Sequence, residues 1–177
     1  MTTLHLVRHG ESEWNAHGLV QGQRYDVPLT ARGRDQALDV ARRVAVLGPT
    51  YVVTSDLLRA VQTAEAIEAG TGLVASRDER LRERSYGEDE GRPRREVIAL
   101  GDPDLVSLGG EPFADVVARV RDWLADLERT QPDAVVVAVT HGDVISAAVV
   151  CLDLPRTEAH HDNASIVTID RLSDVRA

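Results

Sequence analysis

The sequence predicts an α/β fold, a three-layer α/β/α sandwich around a mostly parallel sheet. Two observations carry this reading: strand-length apolar runs alternate with amphipathic stretches of helical period, and those runs are apolar without interruption, as in strands buried on both faces. Leu4–Val7 is the first strand. Thr30–Leu47 carries apolar residues at helical spacing, with Thr30 placed as N-cap. Tyr51–Thr54 is the second strand, and Leu57–Ala69 a helix that Gly70 and Gly72 should stop. Leu73–Ser76 reads as a short strand. A charged stretch bearing glycine and proline runs from Arg77 to Gly110, and a loop of that length over a sheet edge is often a functional lid. Phe113–Arg129 is an amphipathic helix, Ala134–Val139 an all-apolar strand, Val144–Leu152 a helix packed on it, and Ser165–Asp170 the last strand. No repeat or linker divides the chain, so residues 1–177 are expected to form a single domain, with 84–112 as an irregular lid-like segment.

Composition narrows the function. At 177 residues and 43% hydrophobic, the chain can bury one sizeable core and is short for two. No apolar run approaches the roughly 20 residues of a membrane span, and the N-terminal residues lack a secretion signal, so a cytoplasmic protein with no membrane partner is expected. Cys151, the single cysteine, cannot form an internal disulfide and lies in an apolar run, as a buried structural thiol would. A net charge of −9 argues against nucleic acid as partner. All 20 basic residues are arginine, which excludes the P-loop, Schiff-base and kinase chemistries that need a lysine.

Two tripeptides carry the chemistry, Arg8-His9-Gly10 and Thr140-His141-Gly142. Each follows an apolar strand, and residues at the ends of parallel strands face the crevice where open α/β sheets bind ligands. The two histidines should therefore converge although 132 positions separate them (141 − 9). A third strand end, Tyr51–Arg59, places Arg59 in the first turn of the next helix, where free N–H groups favour an anion and a guanidinium suits phosphate oxygens.

Residues 6–15, Leu-Val-Arg-His-Gly-Glu-Ser-Glu-Trp-Asn, resemble the signature of the histidine phosphatase superfamily, the phosphoglycerate-mutase-like proteins. The resemblance continues in order through Gln21-Gly22, Asp26–Ala37, Ser55–Ala64, Leu81–Gly87, Gly110-Glu111 and Thr140–Gly142. It implies a phosphoglycerate mutase-like fold, no cofactor and no metal. It also implies that His9 is a nucleophile carrying a phosphohistidine, with Arg8, Arg59 and His141 holding the phosphoryl oxygens. Asn15, Gln21, Gly22 and Gly142 match positions that line the phosphate and substrate pocket. Glu83 matches the acid/base, a role that requires a raised pKa. On the residues alone, Glu90 is a rival carboxylate.

Other residues carry less. His5 alternates with Leu4 and Leu6 and is expected to face away from the core; His17 follows the signature and could rim the pocket. Trp14 reads as a packing anchor. His160-His161-Asp162 could suggest a metal-dependent phosphoesterase, but adjacent side chains diverge and no ligand set accompanies them. Cys151 and Arg156 have the wrong spacing for a cysteine phosphatase, and Gly10–Trp14 is no serine-hydrolase elbow. A non-catalytic phospholigand-binding relative would lack one of Arg8, His9, Arg59 and His141, and all four are present. Between phosphatase and mutase, the interval 92–109 decides for phosphatase. It holds only 18 residues, where the mutases carry a longer insertion with a further arginine pair. Past Arg95 it has no basic residue, while Glu96, Asp102 and Asp104 are acidic. The expected partner is a small phosphorylated metabolite, and the sequence favours neither a monomer nor a homodimer.

Overall fold

A computed structural model of the chain describes residues 1–98, 108–155, 162–170 and 172. The longest apolar runs form the middle of the sheet. β1 (Thr3–Arg8) and β4 (Val135–Thr140) pair in parallel, from Thr3↔Val135 to Arg8↔Thr140. β2 (Tyr51–Thr54) lies parallel on the other side of β4, and β3 (Ser76–Arg77) parallel beyond β2. β5 (Ile166–Ile169) runs antiparallel along β1, so the order is β3-β2-β4-β1-β5. The short strand read at Leu73–Ser76 is displaced: only Ser76 and Arg77 pair with β2, and Val74 is exposed.

Helices cover both faces. α2 (Ala31–Ala45) and α3 (Leu58–Thr71) bring Val40, Val44, Ala60 and Ile67 onto Val7, Val52, Val137 and Val139. α5 (Phe113–Thr130) and α6 (Gly142–Cys151) bring Val120, Leu124, Ile145 and Ala148 onto Leu4, Leu6, Val136 and Ala138. Because strand side chains alternate between two covered faces, β1 has no solvent side. His5 therefore departs from expectation: it is 4% exposed, with Nδ1 2.9 Å from Thr168 Oγ1, and burial lowers its pKa. Cys151 is buried, and burial raises its pKa.

Thr30 caps α2 through a bond from the Gly33 N–H to its hydroxyl (2.9 Å). α3 ends where Gly72 turns left-handed (φ 75°), one helix residue later than Gly70. Gly70 stays helical and lies against Ala41 of α2. α1 (Glu13–Ala16) is too short for periodicity to reveal; a reciprocal Ser12–Asn15 capping box forms it. The described part of the Arg77–Gly110 stretch is less irregular than its composition implies. It holds 3₁₀ turns at Glu79–Leu81 and Gly87–Asp89 and the short helix α4 (Arg94–Ile98). Its middle is stitched to the signature loop by Gly91 N–H to Val20 O, Val20 N–H to Arg92 O and Arg94 N–H to Gly18 O, all 2.8–2.9 Å. Asp102 and Asp104 lie outside the described residues. Among the described residues no helix is long and apolar enough to cross a membrane.

Candidate active site

Three neighbouring strands stop at one level and pass their next residues into one crevice. The His9 N–H bonds Thr140 O at 3.0 Å and the Ser55 N–H bonds Val139 O at 2.9 Å, which fixes the exits of β1 and β2 against β4. The His9 and His141 rings meet there, 5.1 Å apart and tilted 56°. His9 Nδ1 lies 2.7 Å from Gly10 O. A carbonyl only accepts, so Nδ1 carries the hydrogen and Nε2 keeps its lone pair. Both rings are fully buried; burial, then the nearby Arg59 guanidinium, holds each pKa well below the usual histidine value. His9 is thus neutral at neutral pH, with Nε2 bare and the ring held in one orientation, as a nucleophile requires.

Arg59 is wholly buried, and its two terminal nitrogens donate to Arg24 O (3.0 Å) and Gly22 O (2.8 Å). Burial lowers its pKa to about 10, so it stays a cation, supported by Glu83 and Glu90. Arg8 is held at the end of β1 by its N–H on Ser165 O (3.1 Å). Four buried side-chain nitrogens among the described residues lack a protein partner; three are Arg8 Nε, Arg59 Nε and His141 Nδ1. Buried polar nitrogens are rarely left so, and these three belong to residues gathered with His9 at the strand ends, where the oxygens of an anion could satisfy them. The opposite edge of the His141 ring is taken, with Nε2 2.9 Å from Ser55 Oγ.

Glu83 sits over this floor. Its carboxylate accepts from Arg84 N–H (3.0 Å), Asp143 N–H (3.1 Å) and Gly142 N–H (3.2 Å). The last two are free amides of the α6 N-terminus, which explains why that helix begins at Gly142, ahead of its apolar run. Burial, and next the Asp143 charge, raise the Glu83 pKa to about 7, against the pull of Arg59 and Arg8. Glu90, the rival, is committed elsewhere: Oε1 accepts from Gln23 N–H (2.9 Å) and Tyr86 N–H (3.2 Å).

The remaining expected residues are tied into the same loops by hydrogen bonds. Asn15 Oδ1 accepts from Ser12 N–H (3.2 Å) and Asn163 Nδ2 (3.2 Å), and Gln21 Oε1 accepts from Ser12 Oγ (2.6 Å). With those oxygens engaged, what each amide can offer a ligand is its NH₂ group. Gly22 supplies the carbonyl that aims Arg59, and its left-handed backbone passes where any Cβ would strike Glu90. Gly142 holds Glu83. His17 is exposed and bonds Glu13 O, and Trp14 packs over Gly91. His160 and His161 lie outside the described residues.

Several contributors carry no signal in periodicity. A Cβ on Gly33 would come within 1.9 Å of Glu11 O, and one on Gly10 within 2.4 Å of Gly33 O, so α2 abuts the nucleophile loop backbone to backbone. A glycine inside the first helical turn was the available clue. Thr63 links the loop to α3, accepting from Gly10 N–H (3.1 Å) and donating to Arg59 O (2.8 Å). Arg119 of α5 grips Glu111 through two nitrogens (2.7 and 2.9 Å) and bonds the carbonyls of Arg80 and Glu83.

A neutral imidazole with a bare nitrogen, buried guanidinium donors and a proton-holding carboxyl are groups of the kind that phosphoryl transfer needs. The profile of the histidine phosphatase superfamily (branch 1) matches residues 4–176, and the chain belongs to that superfamily. A probable phosphoglycerate mutase GpmB of Cronobacter sakazakii is 38% identical over 160 residues, 84% of this chain and 74% of the relative. Among solved structures, a mycobacterial glucosyl-3-phosphoglycerate phosphatase complexed with VO3 is 34% identical over 94% of this chain and 91% of its own, with a TM-score of 0.84. A phosphoserine phosphatase from Entamoeba histolytica, in complex with 3-phosphoglyceric acid, is 29% identical over 95% and 90%, with a TM-score of 0.80.

Proposed function

We propose that the chain is a phosphomonoester hydrolase that works through a phosphohistidine on His9, with a small phosphorylated metabolite as substrate. The observation that carries it is a bare imidazole nitrogen on a floor of buried cationic donors, under a carboxyl that keeps its proton to about pH 7. His9 Nε2 attacks phosphorus and the P–O bond to the alcohol breaks, while the leaving oxygen takes the Glu83 proton. Glu83, now a carboxylate, removes a proton from water as that water attacks the phosphohistidine. Inorganic phosphate leaves and His9 is neutral again. Arg8, Arg59 and His141 hold the three equatorial oxygens throughout, and Asn15 and Gln21 direct their NH₂ groups at the same anion.

The names of the relatives favour an acidic substrate, and so does Arg94, an exposed guanidinium whose charge reaches Arg8. A phosphomonoester with a neighbouring carboxylate, such as phosphoserine or a phosphoglycerate derivative, is the class we favour. The mutase reading has the GpmB likeness behind it. Hydrolysis has the short 92–109 interval behind it, 18 residues with no basic residue past Arg95.

Phosphate release from a panel of phosphorylated metabolites tests this. With 3-phosphoglycerate and a trace of the 2,3-bisphosphate, the enzyme should release phosphate or do nothing. Rapid conversion to 2-phosphoglycerate with negligible phosphate release would make it a mutase. Activity should survive excess EDTA, because arginines supply the charge.

A further inference from the structure

Glu83 is an unlikely place to store a proton. Three backbone N–H groups donate to its carboxylate, two of them from the positive end of α6. Arg8 of β1 and Arg59 of α3 also stabilise its charged form, and from α5 Arg119 bonds its backbone carbonyl. Donors and cations of that kind hold a carboxylate ionised. Burial opposes them, and so does one acidic side chain, Asp143. The Asp143 N–H bonds Glu83 Oε1 at 3.1 Å, so one hydrogen bond and Asp143's own short side chain link the two carboxyl groups.

Asp143 and Glu83 meet at one helix N-terminus, and the structure contains a group that holds the Asp143 side chain in place. The Tyr86 hydroxyl donates to Asp143 Oδ2 at 2.7 Å. Burial and the two carboxylates push the phenol pKa upward, so Tyr86 remains a donor at any working pH. A hydroxyl donor stabilises the ionised acceptor. That bond fixes where the Asp143 carboxyl sits.

We infer that Asp143, fixed by Tyr86, is a positioning residue for the acid/base: it supplies the fixed negative charge that makes Glu83 hold a proton for the leaving group. This rests on the assignment of Glu83 given above. It also makes Tyr86 part of the acid machinery although the phenol need not touch the reacting atoms.

The test is the pH profile of kcat/KM on an alkyl phosphate. The wild type should lose activity along an alkaline limb set by Glu83, and Asp143→Asn should move that limb to lower pH by about one unit, the size of one nearby charge in a protein interior. Tyr86→Phe leaves the charge but frees it to move, so its limb should shift the same way by less. If Asp143→Asn fails to fold, Tyr86→Phe alone decides. An unmoved limb in the folded variants overturns the inference. Glu83→Gln separates this from the parent reading: it should abolish the limb, and a limb that persists there means that Glu83 is not the acid.

Discussion

The floor of the site, around His9 and His141, and the segment that carries Glu83, the proposed acid, are built by different means. The floor is backbone work: His9, Ser55 and His141 leave three adjacent strands, and the ladder bonds to β4 continue into His9 and Ser55, the first residues beyond β1 and β2. The acid segment, 78–90, has only two 3₁₀ turns and is fastened by arginines. Arg82 pairs with Asp56, Arg80 with Asp78 and Asp126, and Arg119 with Glu111. Ladder bonds are local to the sheet and mutually reinforcing. Ion pairs act one side chain at a time, and their worth falls with exposure. The floor should therefore be robust to point changes outside it, and the acid's placement vulnerable to them.

The largest effect should come from the floor's own chemistry. His9→Ala should cut turnover by about 10⁴-fold or more and remove any base-stable, acid-labile phosphoryl group trapped by alkaline quench. Near-wild-type turnover would place the nucleophile elsewhere. Glu83→Gln comes next. It should slow an alkyl phosphate by roughly 10²–10⁴, and p-nitrophenyl phosphate, whose leaving group needs no proton, far less. Equal losses on both would make Glu83 a binding residue.

A smaller effect should follow from loosening the acid without touching it. Arg119→Ala removes a largely buried pair (18% and 17% exposed) and should lower stability by about 1–3 kcal/mol in urea denaturation. It should depress kcat on alkyl phosphates while leaving the phosphohistidine trap on p-nitrophenyl phosphate intact. Asp126→Ala, on the exposed Arg80 pair, should change neither rate nor melting temperature measurably. If both behave alike, the ion pairs are not graded fasteners.

Stability against pH sharpens the contrast further. The Glu83 pKa is raised to about 7 from the ordinary 4.5. Between those values the folded chain holds a proton that the unfolded chain has lost. This contribution is complete below the lower value and fades as pH rises through the upper one. His9 and His141, buried neutral, act oppositely: unfolding gains protons below about pH 6.5, so they favour folding more as pH rises toward that value. The advantage of wild type over Glu83→Gln in urea midpoint should therefore shrink from pH 5 to pH 7; a constant gap would mean that Glu83 is an ordinary carboxylate.

The same division governs what could be read from residues alone. Ala134–Val139 announces a parallel strand because burial on both faces leaves it wholly apolar, Leu4–Val7 is broken only by His5 and Tyr51–Thr54 only by its final threonine, and the strand exits locate His9 and His141. The α6 start was misplaced because its cap is a carboxylate from 59 positions away, Glu83 on Gly142. His5 was misjudged because alternation distinguishes two faces but not whether each is covered. Glu90 and Glu83 look equivalent in a charged stretch; only tertiary contacts assign one to the Gln23 and Tyr86 amides and the other to the pocket.

The β1–β4 pairing has a consequence in time as well as in space. It joins positions 132 apart, Thr3 with Val135, and the histidines sit at its end. Closing so long a loop is an entropic barrier crossed late, and folds dominated by such contacts form slowly. Helices α2, α3 and α5 can assemble before the two imidazoles ever meet. Refolding from urea should then recover helical circular dichroism first and catalysis last, with no partly folded intermediate able to cleave a phosphate ester.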